Sequence, residues 1–226
     1  MFERTIKLIG EANFKNLQDS QILIVGLGGV GEVCLETLAR SGIKNIIGID
    51  NDDFSDSNLN RQIISNQENV GKSKVMECQI YLNKINKNIN FIPLNIFLSR
   101  DNIGLLDKYE IDYIIDACDT ISTKIELIKY AHKKNIKIIS SMGTGKKLDP
   151  TKLYITKISK TYNDPLAKQI RKKLREENIN YDIPVISSKE EVRIKGKELA
   201  SMMLVPAGAG LYLAYYIIND LLNKKE

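Results

Sequence analysis

The stretch "DNDDFSDSNLNRQ" sets the acids Asp50, Asp52, Asp53 and Asp56 just ahead of Asn58, Asn60, Arg61 and Gln62. A little further on, "GKSKV" places Lys72 and Lys74 at the start of a helical pattern. Cations there oppose the helix dipole by about 0.3–1 kcal/mol each. Folding alone does not favour them, whereas an anionic ligand does. Arg61 adds a planar fork suited to phosphate. Upstream, "GLGGVG" fits G-x-G-x-x-G through Gly26, Gly28, Gly29 and Gly31. Glycines there allow a tight turn and let phosphate approach the amides at a helix start. Asp50 follows the loop by about twenty residues, where a ribose-binding carboxylate ends a second strand. Glycines plus Asp50 would suit a nicotinamide or flavin enzyme. Arg61 and Lys74 beside them favour a triphosphate. No G-x-x-x-x-G-K-[ST] occurs, which excludes a P-loop enzyme.

Elements must position these groups. "QILIVG" from Gln21, "KNIIGID", "NFIPLNIF", "IDYIIDACD" and "IKIISSM" read as strands. "GEVCLETLARSG", the 69–86 stretch "NVGKSKVMECQIYLNKIN" and "KIELIKYAHKKN" carry helical spacing between them. The expected fold is α/β, a doubly wound, mainly parallel sheet with helices on both faces. A strand "KLYITKISK", a basic helix "DPLAKQIRKKLREEN" opened by Pro165, an extended "NYDIPVISSKEE" and a terminal helix over 207–225 extend it. The 226 residues, 43% hydrophobic, suit a single domain. Its parts are an N-terminal arm or helix over 1–20, a nucleotide-binding core over 21–145 and an extension over 146–226.

At the end of the fourth strand, "DACD" offers Asp116 and Asp119. Ligands bind at carboxyl strand ends in such sheets. Mg²⁺ takes few carboxylates plus phosphates, and Asp119 is better placed for it than Asp116. Asp116 equally suits a cap for the next helix. Cys34, Cys78 and Cys118 lie far apart with no CxxC, against a disulfide framework or structural zinc, and read as small buried hydrophobes. His132, the only histidine, falls on a lysine-rich helix and reads as a surface residue. The net charge of +5 is modest. No apolar run is long enough for a membrane span, so the cytoplasm is the expected location.

"GLGGVG", "DNDDFSDSNLNRQ", "VGKSKV" and "DACD", in this order, resemble the adenylating domain of the ubiquitin-activating-enzyme superfamily. The resemblance implies ATP and Mg²⁺ as cofactors and adenylation of a carboxylate. It assigns Asp50 to the ribose, Arg61 and Lys74 to the phosphates, Asp119 to the metal, and Asp52 and Asn58 to the loop beside the nucleotide. It also implies a homodimer in which an N-terminal arginine, here Arg4, reaches the partner's site. This chain departs from the carrier-activating members. It lacks their CxxC pairs and has no cysteine after Cys118 to form a thioester.

The segment from "GTGKKLDP" to "IRKKLRE", with "ARSGI" and "NLNRQI", resembles the tRNA threonylcarbamoyladenosine dehydratase branch of that superfamily. The implied substrate is a tRNA carrying that modification beside the anticodon. Lys160, Lys168, Arg171, Lys172 and Arg175 would track its phosphates, as a basic stripe can. A lysine face open to solvent is the plainer reading of those residues. A sulfur-transfer protein partner and a monovalent cation are left open. The rival readings are an enzyme that adenylates the C-terminus of a small protein, a nicotinamide-dependent oxidoreductase and a nucleotide-sensing protein without catalysis.

Overall fold

The computed structural model describes residues 1–194, 196 and 200–223. Its centre is a sheet ordered β3-β2-β1-β4-β5-β7-β6. The strands are β1 (Gln21–Val25), β2 (Asn45–Ile49), β3 (Asn90–Leu94), β4 (Tyr113–Asp116), β5 (Lys137–Ser141), β6 (Leu153–Lys157) and β7 (Pro184–Ser188). Every pairing is parallel except that of β6 with β7. β1 shows why the middle strands read as unbroken apolar runs. Ile22 and Ile24 enter one core layer while Leu23 and Val25 enter the other. A strand covered on both faces has no solvent side on which to alternate polar residues.

Helices supply both covers. On one side lie α2 (Glu11–Asp19), α3 (Gly31–Ser41), α4 (Lys74–Ile85) and α7 (Leu204–Leu222), with Leu17, Leu35, Leu82 and Leu213 in their shared core. On the other lie α5 (Ile121–Lys134) and α6 (Pro165–Glu176), which contribute Ile128, Ile170 and Leu174. A short α1 (Glu3–Ile9) precedes α2. The α/β doubly wound fold expected from the sequence is the fold observed.

Some boundaries differ from expectation. α4 begins at Lys74, five residues later than the periodicity from Asn69 suggested. Gly71 has φ of 84°, and Asp53 bridges Ser73, so the chain turns there and Ser73 precedes the first helical residue. α7 begins at Leu204, ahead of the expected Ala207, because Pro206 fits within its first turn. Lys224 and Lys225, expected at its end, lie outside the described residues.

Leu213 is fully buried in the core that α7 shares with α2 and α3. Leu213→Ala is expected to cost about 2–5 kcal/mol of stability, measured by denaturant unfolding. A loss below about 1 kcal/mol would show that α7 is not integral to the core.

Candidate active site

After β1 the chain passes to α3 on one face of the sheet, and after β4 to α5 on the other. The parting opens a crevice at the carboxyl ends of these adjacent strands. A pocket of about 420 Å³ fills it. It gathers Gly26, Gly28, Gly29 and Asp50 with Asp52, Asn58, Arg61, Lys74 and Asp119, residues spread over much of the chain. Lys72 is exposed and not on the pocket wall, so only one of the two helix-start lysines serves it. Ile96, Phe97, Thr144, Ser201 and Pro206 complete walls that the sequence motifs did not indicate.

The glycine loop is set by backbone crowding. Gly26 has φ of 92°, and a Cβ there would lie 2.7 Å from the Cys118 amide nitrogen. Gly31 does not line the pocket; a Cβ on it would lie 1.8 Å from the Gly26 carbonyl oxygen, which makes it a packing glycine. Asp50 braces the same loop. Its Oδ2 accepts the Leu27 amide at 2.6 Å and its Oδ1 accepts the Asp52 amide at 2.8 Å.

The acidic loop then aims two cations. Asn58, mostly buried, accepts the Ser55 amide on Oδ1 at 3.0 Å, and its carbonyl accepts the amides of Arg61 and Gln62. Arg61 leaves that turn with Nη1 donating only to neutral oxygens, Ser57 O at 2.7 Å and Asn60 Oδ1 at 2.9 Å. Lys74 is 5% exposed and donates to Asp52 Oδ2 at 3.1 Å. Both cations can exchange these contacts for phosphate oxygens.

Asp116 neither caps α5 nor lines the pocket. It is fully buried at the end of β4 and paired with Lys124, whose Nζ lies 3.0 Å from both carboxylate oxygens. Lys124 also donates to Ser140 Oγ at 3.2 Å and Ser141 O at 2.8 Å, which fastens β4 to β5 through α5. An acid in a strand facing a lysine eight residues on leaves no local pattern in sequence. Asp119 remains as the pocket carboxylate at this strand end and is exposed at the rim. Among the described residues no three His, Cys, Asp or Glu side chains converge as a metal site. A lone carboxylate fits a metal whose other ligands are phosphates and water.

Cys118 departs from its expected role. Cys34 and Cys78 are buried core residues, but Cys118 lines the pocket and its thiol donates to Asp116 Oδ1 at 3.1 Å. Burial and the Asp116 charge raise its pKa, which disfavours the thiolate. His132 is exposed, as expected, and stacks on Tyr181.

In the extension, Asp164 caps α6 by accepting the Ala167 amide at 3.0 Å, with Pro165 in the first turn. Lys160, Lys168, Lys172 and Arg175 are exposed. Lys172 lies 3.6 Å from Glu176. Arg171 is used internally: Nη1 donates to Ile158 O at 3.3 Å and to Thr161 Oγ1. It holds α6 against the preceding turn, which subtracts it from the free basic face. Arg4 is exposed on α1 and does not line this chain's pocket.

The residue that sequence reasoning passed over is Glu32, in the first turn of α3. It is 0% exposed. Its amide donates to Gly28 O at 2.9 Å, and its Oε2 accepts the Ile64 amide at 2.8 Å. Its Oε1 is buried without a hydrogen-bond partner among the described residues. Burial pushes its pKa from the ordinary 4.5 to about 8, with Asp50 raising it further and the Ile64 amide, Lys74 and Arg61 opposing. An acid placed directly after a phosphate-type glycine loop was the signal available in the sequence.

Residues 2–224 match the ThiF family. This chain belongs to the ThiF family. Among relatives, it is 37% identical over 243 residues to the tRNA threonylcarbamoyladenosine dehydratase of Bacillus subtilis, covering 100% of this chain and 96% of that one. The structure of Escherichia coli tRNA N6-threonylcarbamoyladenosine dehydratase, TcdA, in complex with ATP is similar at a TM-score of 0.94 and 30% identity, covering 99% and 94% of the two chains. The complex of the same Escherichia coli protein with AMP gives a TM-score of 0.93 at 29% identity, covering 98% and 93%. This ThiF-family chain thus carries its site where a doubly wound sheet places one.

The raised pKa of Glu32 has a sign that can be checked. Its folded value lies above its unfolded one, so folding favours the protonated acid. That stability is fully present below pH 4.5 and is lost as pH rises towards and through about 8. Glu32→Gln is neutral throughout and keeps an oxygen for Ile64. Its melting temperature should exceed the wild type's by several degrees at pH 8, and the gap should close towards pH 5. A gap that does not change with pH in a melting series would contradict the assignment.

Proposed function

We propose that this chain converts the threonylcarbamoyladenosine of tRNA to its cyclic form by ATP-dependent dehydration. One observation carries the reading: a single pocket joins a glycine loop and Asp50 to Arg61 and Lys74, two cations that a ribose does not need. The substrate comes from the relatives, since the match to a dehydratase of that name runs through the extension and the whole chain.

The chemistry needs a poor electrophile made reactive. A threonyl carboxylate oxygen attacks the α-phosphorus of ATP, the bond to the bridging oxygen breaks, and pyrophosphate leaves. A nitrogen of the same modification attacks the activated carbonyl carbon. The bond to the phosphate oxygen breaks, AMP leaves, and the nitrogen's proton passes to solvent. The net loss from the nucleoside is one water. Because the second nucleophile is already tethered, no enzyme thioester is required, and no cysteine follows Cys118. In this reading Asp50 takes the ribose hydroxyls, and the glycine loop takes the phosphates. Arg61 and Lys74 neutralise charge that builds on the phosphoryl oxygens. Asp119 would hold Mg²⁺, which supplies further charge neutralisation when bound.

We further propose that Lys160, Lys168, Lys172 and Arg175 meet the tRNA backbone, that the enzyme works in the cytoplasm, and that it acts as a homodimer with Arg4 near the partner's pocket. A fully active enzyme that sediments as a monomer would remove the role given to Arg4. Described helices include none long and apolar enough to cross a membrane.

The deciding assay incubates the protein with ATP, Mg²⁺ and tRNA bearing or lacking the threonylcarbamoyl group, and measures AMP and pyrophosphate. AMP release is expected only with the modified tRNA; release that ignores the modification would sink the proposal. Arg61→Ala and Lys74→Ala should each slow turnover by about a hundredfold or more with the fold intact. Near-normal rates in either would move the phosphates elsewhere. Replacing Lys168, Lys172 and Arg175 together by Ala should raise KM for tRNA, leave kcat unchanged, and flatten the dependence of log KM on log salt by about 2. An unchanged salt slope would return α6 to the role of an ordinary solvated helix.

A further inference from the structure

Among the described residues Glu32 stands apart from the other buried acids. Asp116 has Lys124, and Asp164 has Lys147 within 3.8 Å together with three hydrogen-bond donors. Glu32 has one donor, the Ile64 amide, and an orphan Oε1. The same turn holds a second orphan acceptor, Gln62 Oε1, also buried without a partner among the described residues. Buried unpaired oxygens are costly. Protonating the acid turns one of these oxygens into a donor, so the neutral form suits this polar environment better than the carboxylate.

Its position gives that proton a consequence. Through its own amide Glu32 holds Gly28 of the glycine loop, and through Oε2 it holds Ile64, three residues beyond Arg61. Gly29 and Arg61 are in close register: a Cβ on Gly29 would lie 3.0 Å from Arg61 O and 3.3 Å from Arg61 Cγ. Glu32 therefore joins the two: its backbone holds the glycine loop, and its side chain holds the arginine-bearing turn. The charged and titratable groups around it are Asp50 at the end of β2, Arg61 on the turn, and Lys74 and Cys78 on α4. A triphosphate entering among Asp50, Arg61 and Lys74 would meet a buried negative charge if Glu32 were ionised.

We propose that Glu32 is a positioning residue for the nucleotide that works as the uncharged acid, and that ATP binding draws a proton from solvent onto it. The proposal rests on ATP being the ligand of this pocket. The neutral acid keeps both backbone anchors and adds no further negative charge beside Arg61 and Lys74. The pKa of about 8 places this exchange in a range that binding measurements reach. A plain structural role, in which the side chain only accepts the Ile64 amide, predicts no proton exchange on ATP binding.

The test is calorimetric titration of the full chain with ATP and Mg²⁺ between pH 7 and 9, in two buffers of different ionisation heat. Wild type is expected to take up a fraction of a proton at pH 8 and to lose affinity by up to about tenfold from pH 7 to 9. Glu32→Gln is expected to take up none and to bind equally well across the range. Glu32→Ser, which keeps an acceptor in a smaller side chain, repeats the comparison should the Gln variant not fold. Uptake that persists unchanged in a folded variant, or no uptake by wild type that does bind ATP, overturns this inference alone. Failure of wild type to bind ATP at any pH overturns the proposed function together with it.

Discussion

One carboxylate organises the pocket. Asp50 accepts the Leu27 amide with one oxygen and the Asp52 amide with the other. The first contact fixes the loop after β1, and the second fixes the loop after β2. Everything downstream uses that junction. Asp52, so oriented, takes both the backbone amide and the side chain of Lys74, and thereby sets where α4 begins. Phe54 pairs with Lys72 and Gly71 through the backbone, closing the acidic loop into a fixed shape before it reaches Asn58. Of the acids that look excessive in sequence, Asp50 binds backbone amides and Asp52 holds the Lys74 side chain.

The molecule treats two of its buried acids in opposite ways. Asp116 is charge-paired with Lys124 and accepts the Ser140 hydroxyl, an arrangement that repays desolvation only because each atom finds a partner. Glu32 has no such partner, and its burial raises its pKa, which favours the protonated acid. The first arrangement fixes the strand end that carries Asp119. The second spares the pocket that gathers Arg61 and Lys74 a further buried negative charge.

The glycine loop, the strands of the core and the pocket set from Gly26 to Lys74 were legible because each rests on a local pattern: glycine spacing, apolar runs covered on both faces, and cations at a helix start. What was not legible depends on partners distant in sequence. The pairing of Asp116 with Lys124 depends on α5 packing against β4 and β5. The diversion of Arg171 onto Ile158 and Thr161 depends on how α6 folds back. The late start of α4 came from Gly71 and the Asp53–Ser73 bridge overriding helical periodicity. The pocket position of Cys118 follows from β4 ending two residues before it. Ser201 enters the pocket because Asn60 Nδ2 donates to its carbonyl at 2.9 Å across most of the chain.

The place of β7 in the sheet bears on how the chain is assembled during synthesis. β7 lies between β5 and β6, yet β6 is made first and pairs only with β7. Until β7 emerges, β5 keeps a bare edge and β6 has no strand to join. An unpaired edge in a partly made chain is a point of exposure to other chains. The intervening α6 is carried into place by the closing of this gap, and α7, made last of all, still has to cover α2 and α3. The order of synthesis therefore makes the extension the last part of the molecule to acquire its geometry.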